Sequence, residues 1–168
     1  MKDLSPQDIQ EWGLTFPGAI RGAAMINRVL VGIDFSEASK LALERAVGWA
    51  QKLGVPLTAM HVLQPPAPML PEAQIALPDP AWLRTMEVHA TEQLDKFLLG
   101  IPGATSIVKW GSPAEELVSE ATPACLLVVA QVGHSGIERL LFGSTAARVV
   151  KHAPCDVLVV RGERKKKH

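Results

Sequence analysis

Three places in the sequence carry residue types and spacings suited to binding a charged ligand. The first is Ala130-Gln131-Val132-Gly133, followed after nine residues by Gly143-Ser144-Thr145. Glycine at 133 lets a backbone approach a ligand closely. Gly143 and Ser144 stand directly ahead of a helical pattern, whose first N–H groups have no partner inside the helix. Those amides and the helix dipole suit a phosphate, the dipole contributing about 0.3–1 kcal/mol near a surface. The hydroxyls of Ser144 and Thr145 add donors. A glycine loop with a serine cap accounts for the same residues without a ligand, so the motif alone leaves both readings open. It is not a P-loop, because no Gly-Lys-Ser/Thr follows the glycines.

The second place is Asp34, at the end of an apolar run. An acidic residue there can accept from ribose hydroxyls or hold a magnesium ion through water; it can equally be a turn residue ahead of a Ser36 cap. The third is His61-Val62, closing another apolar run, where a backbone N–H and C=O could read an adenine edge. The internal histidines His61, His89, His134 and His152 show no metal-ligand spacing. No Ser-His-Asp or Cys-His set stands out, and Cys125 and Cys155 fit neither a metal motif nor a disulfide framework. Both are expected to be free thiols at the entries of apolar strands. No catalytic residues are assigned.

These residues need elements to position them. Arg28 to Asp34 has the continuous apolar character of a strand buried on both faces. Ser36 can cap a helix with Leu43, Ala46, Val47, Ala50 and Leu53 on one side, ended by Gly54. Val55 to Val62 reads as a second strand with Pro56 at its start. Residues 63–80 hold six prolines and little periodicity, which predicts a long loop, a candidate lid. Asp79-Pro80 opens a helix carrying Trp82, Met86, Leu94, Phe97 and Leu98. Thr105 to Trp110 is a third strand, and Ser112-Pro113-Ala114-Glu115 reads as a capping box. Cys125 to Gln131 is the fourth strand, Ser144 to His152 a helix, and Asp156 to Val160 the fifth strand. Such alternation predicts an α/β fold with a doubly wound parallel sheet. In the order 3-2-1-4-5, Asp34 and the glycine loop flank the point where the strand order reverses, which is where such sheets bind ligands.

Three segments follow from this pattern: an N-terminal extension over 1–25, a regular domain over 26–161 and a basic tail over 162–168. In the extension, Ser5-Pro6 reads as a helix start, which predicts a short helix to Trp12, broken by Gly13, Pro17, Gly18 and Gly22. The 168 residues suit one domain, and 17 Lys and Arg balance 17 Asp and Glu. That balance argues against nucleic acid as a partner. No stretch is apolar enough for a membrane span, and Asp3, Asp8 and Glu11 break any signal-peptide pattern. A cytoplasmic protein is expected.

With these residues assembled, residues 26–161 resemble the universal stress protein family. The resemblance rests on Arg28 to Glu37, His61-Val62, Gly111 to Glu116, the run from Gly133 to Ser144, and His152-Ala153-Pro154-Cys155. It implies a single Rossmann-like domain of five parallel strands in the order 3-2-1-4-5, and a homodimer through the last strand, about Asp156 to Val160. In the ATP-binding branch the pattern is glycine, two residues, glycine, nine residues, glycine, then serine or threonine. Gly133, Gly143 and Ser144 match it, and Thr145 follows. Ala130 stands where the first glycine belongs, and Val132 replaces the usual polar or basic residue. The resemblance also places Gly32 and Ile33 along the base or sugar, Asp34 near the ribose and phosphates, and Val62 against adenine.

The leading expectation is a homodimeric stress-response regulator that binds ATP or another adenine nucleotide, with Mg2+ through Asp34 and water, and signals to a protein partner. A nucleotide-free interaction module of the same fold is the alternative, favoured by Ala130. A slow ATPase comes third, with Arg139 or His134 as its only loop candidates.

Overall fold

The computed structural model describes residues 25–65, 79–131 and 143–162. The extension helix, Gly133, His134, Arg139, nearly all of the Pro-rich segment and most of the basic tail lie outside them. Nine elements alternate along the chain: β1 (Arg28–Ile33), α1 (Glu37–Leu53), β2 (Leu57–Leu63), α2 (Pro80–Phe97), β3 (Ala104–Trp110), α3 (Pro113–Glu120), β4 (Cys125–Ala130), α4 (Ser144–His152) and β5 (Asp156–Val160).

All strand pairs are parallel and the sheet runs β3-β2-β1-β4-β5, as the alternation predicts. Successive side chains along each strand enter opposite cores. Val29, Val31, Leu126 and Val128 meet α1 and α2 on one face. Leu30, Met60, Leu127 and Val129 meet α3 and α4 on the other. The two-sided burial explains why these strands read as unbroken apolar runs rather than alternating ones. Among the described residues no helix is long and apolar enough to cross a membrane.

The boundaries differ from expectation in small ways. The second strand starts at Leu57 rather than Val55: Pro56 has no N–H to donate and only accepts, from Val29 N at 3.0 Å. The fourth strand ends at Ala130, although Gln131 still donates to Val160 O. On α1 the buried stripe is Ser39, Ala42, Leu43, Ala46 and Ala50, and Leu53 is exposed. On α2, Ala90 and Leu94 are buried while Trp82 lies half open against Trp110, ring centroids 6.1 Å apart.

Helix ends also separate sound signals from a misread one. Ser36 caps α1 by accepting from Ser39 N, and Gly54 closes it in the left-handed region at φ 66°. Asp79 caps α2 by accepting from Ala81 N, with Pro80 at the first helical position. Ser112 is the N-cap residue of α3, but its side chain makes no cap hydrogen bond. The expected capping box does not form. Glu115, its reciprocal member, is drawn instead to Arg148 Nη2 of α4 at 2.7 Å.

Candidate functional site

A cleft of about 420 Å³ opens at the carboxyl ends of the strands, at the reversal between β1 and β4. Its volume falls in the range of small-molecule sites. Eight sequence-predicted residues line it: Gly32, Ile33, Asp34, Val62, Ala130, Gly143, Ser144 and Thr145. The ninth, Gly133, lies outside the described residues.

One wall is the start of α4. Gly143 is its N-cap residue at φ −65° and ψ 156°, and no side chain caps the helix. Gly143 N donates to Gln131 O at 2.7 Å, which ties the helix start to the end of β4. The following Ser144, Thr145 and Ala146 line the cleft, so the helix presents its first turn to that space. Among the described lining residues none is Lys or Arg. The positive potential they supply therefore comes from peptide dipoles.

The turn between β1 and α1 also borders the cleft. Asp34 Oδ1 accepts from Ser36 N at 3.0 Å and from Ser36 Oγ at 2.5 Å, so Asp34 both lines the cleft and braces the α1 cap. The turn and ligand readings of this residue are compatible. Phe35 follows with φ 60°, the one non-glycine residue at positive φ among those described. Bulky residues avoid that region, and its cost is of the order of 1–2 kcal/mol. Ring packing offsets it: Phe35 lies 4.5 Å from the His61 ring and 5.7 Å, edge to face, from Phe97. His61 Nδ1 is 2.8 Å from Ile33 O. A carbonyl oxygen only accepts, so Nδ1 must donate, which fixes the ring's tautomer. Together these contacts hold the turn that carries Asp34 at the cleft mouth.

The floor is mainly apolar. Val62 from β2, Leu117 from α3 and Val129 from β4 supply its apolar lining. Gly32 is needed there for packing: a Cβ on it would sit 2.9 Å from Leu117 Cδ1. Ala130 belongs to strand β4 and is not among the residues at positive φ. Its methyl group therefore meets no backbone objection at the position where the pattern has glycine.

Gln131, part of the first motif, also lines the cleft, and sequence reading missed several others, among them Ser39, Gln64, Pro113 and Leu117. Pro113 and Leu117 could have been found, because the Ser112-Pro113 helix start follows β3 and so lies at the same end of the sheet. Ser39 gave no signal. It is buried through bonds with Ser36, its N–H donating to Oγ and its hydroxyl to O.

The family model described as "Universal stress protein family" matches residues 25–161. A protein of Staphylococcus aureus strain USA300 whose name places it among universal stress proteins is 28% identical over 143 residues, covering 80% of this chain and 84% of that protein. The solved universal stress protein UspA from Lactobacillus plantarum superposes with a TM-score of 0.68 at 29% identity, covering 82% of this chain and 99% of that one. A universal stress protein solved in complex with cAMP matches at 27% identity and a TM-score of 0.51, covering 80% and 96%.

Proposed function

The chain belongs to the universal stress protein family, and on that footing we propose that its cleft binds an adenine nucleotide and that it acts as a regulator rather than an enzyme. The carrying observation is that the uncapped start of α4, Asp34 and an apolar set including Val62 and Val129 line one cleft. That arrangement suits a ligand with an anionic end, a hydroxylated middle and a flat apolar end. The α4 amides with Ser144 and Thr145 take the phosphates, Asp34 accepts from the ribose, and Val62 and Ile33 flank the base. A similar protein bound to cAMP supports the adenine class. ATP is the expected form, with Mg2+ held through water at Asp34.

The nucleotide-free alternative drew on Ala130, and the extended conformation of that residue weakens it. We further propose a homodimer in which β5 pairs with its twin. β5 is an edge of the sheet, and Val157, Leu158 and Val159 are only half-buried in the single chain. Pairing would cover them and hide the open edge. The regulated protein would then read the nucleotide-bound dimer.

The test begins with the purified protein, denatured and analysed for released small molecules by chromatography and mass. Calorimetric titration of the stripped protein with ATP, ADP and cAMP, with and without magnesium, follows. Adenine nucleotide binding at one site per chain is the expected result. No heat at millimolar nucleotide would overturn the reading, and steady phosphate release would overturn its non-enzymatic part.

A further inference from the structure

At the opposite end of the sheet from the cleft, strand order brings together two cysteines that lie 30 positions apart (155 − 125) in the chain. Leu126 pairs with Asp156 in the β4–β5 register, so one step earlier Cys125 stands beside Cys155. Both side chains enter the core under α3 and α4, so they share a face. Neighbouring strands lie about 4.7–4.9 Å apart, within the roughly 4.4–6.8 Å Cα separation that a disulfide spans. On the other side, Arg28 pairs with Cys125 in register. Glu120 holds the guanidinium in place, through Oε1 at 3.0 Å and its carbonyl oxygen at 2.6 Å.

From this juxtaposition we propose that Cys125 and Cys155 are a redox modification site, a dithiol that a hydroperoxide converts to an intrachain disulfide. Cys155 is the more accessible thiol and reacts first. Its sulfur, as thiolate, attacks one peroxide oxygen; the O–O bond breaks, hydroxide or alkoxide leaves and takes up a proton, and a sulfenic acid remains. The Cys125 thiolate then attacks that sulfur, the S–O bond breaks and water leaves. Two thiols lose two hydrogens and two electrons, and the peroxide receives them. Burial pushes both thiols up, Cys155 to about 11, while Arg28 partly counters this at Cys125. The pair is therefore slow to oxidise and stays reduced until peroxide persists. The bond would close the stretch between the two cysteines, which contains Ala130, Gln131 and all of α4. It would thus clamp both ends of the segment that supplies one cleft wall.

The test uses the full chain, reduced and then incubated with hydrogen peroxide, quenched with iodoacetamide and read by intact mass and peptide mapping. The expected product is about 2 Da lighter, takes no alkyl group, yields a peptide joining Cys125 to Cys155, and is restored by dithiothreitol. A Cys125→Ser chain should instead stop at sulfenic acid on Cys155. Two alkylated cysteines after prolonged exposure would overturn the proposal. So would a disulfide joining two chains, or Cys155 driven to sulfinic acid with Cys125 still free.

Discussion

Single residues in this protein hold two roles at once, and Gly32 is the clearest case. Family resemblance assigns it to the ligand, whereas its lack of a Cβ is also what lets Leu117 sit against β1. Gly32→Ala forces Leu117 to move, and the cleft it lines is the open side. The clash is with the far end of a flexible side chain that can shift into open space, so the cost is small, under about 1 kcal/mol. Urea unfolding should report that loss, and nucleotide titration should report weaker binding in the same variant. Unchanged affinity would separate Gly32 from the site. Glu120 is a second case. Its carboxylate accepts from Lys109 Nζ at 2.9 Å and Arg28 Nη1 at 3.0 Å, tying α3 to β1 and β3. The Lys109 hydrogen bond, chiefly, holds its pKa below the ordinary carboxylate value, against the pull of burial. Its contribution to stability is complete above the unfolded pKa and is lost as pH falls through the folded one. Glu120→Gln should therefore cost about 1–2 kcal/mol at neutral pH and progressively less on acidification below the carboxylate range, checked by denaturation at stepped pH. Neither role is visible in the sequence, because Leu117 meets Gly32, and Arg28 meets Glu120, only through the order of the strands.

At the scale of elements, the cap positions decide which signals in the sequence carry energy. Ser36 bonds both Ser39 N and Asp34, whereas the Ser112 side chain caps nothing. Ser36→Ala should cost about 0.5–2 kcal/mol and Ser112→Ala under about 0.5 kcal/mol, a contrast that thermal unfolding resolves. Strands and helix starts were legible throughout, since two-sided burial and the residues before each helix leave local marks. The capping box was misread because Arg148, far along the chain, competes for Glu115. The start of α4 gives the sharper test of function. Gly143 has a φ that any residue adopts, so Gly143→Asp meets no backbone strain. Aspartate is a favourable N-cap beside a helix dipole, so the fold should gain a few tenths of a kcal/mol. The same carboxylate occupies the space and potential meant for phosphate. Nucleotide affinity should fall more than tenfold while the melting temperature holds or rises. Equal affinity in the two proteins would remove the α4 amides from the site.

At the scale of the whole molecule, β5 is an edge of the sheet among the described residues. Both edge strands, β3 and β5, are largely half-buried, and β5 is the shorter and more uniformly apolar of the two. The outward-facing groups can be identified. Gln131 N donates to Val160 O at 2.8 Å, so Val160 turns its backbone towards β4. Alternation along a parallel strand then turns the backbone groups of Val157 and Val159 outward. A twofold pairing would join two such strands antiparallel and extend the sheet across both chains. Val159→Pro removes an outward N–H without touching the β4–β5 ladder, and proline is tolerated on an edge strand. Light scattering should give a dimer for the native chain and a monomer for the variant, with matching circular dichroism. A native monomer would refute edge pairing, and a variant that remains dimeric would move the interface elsewhere. The topology makes this prediction possible: without the order β3-β2-β1-β4-β5, nothing in the last apolar run says whether it is an edge or a centre.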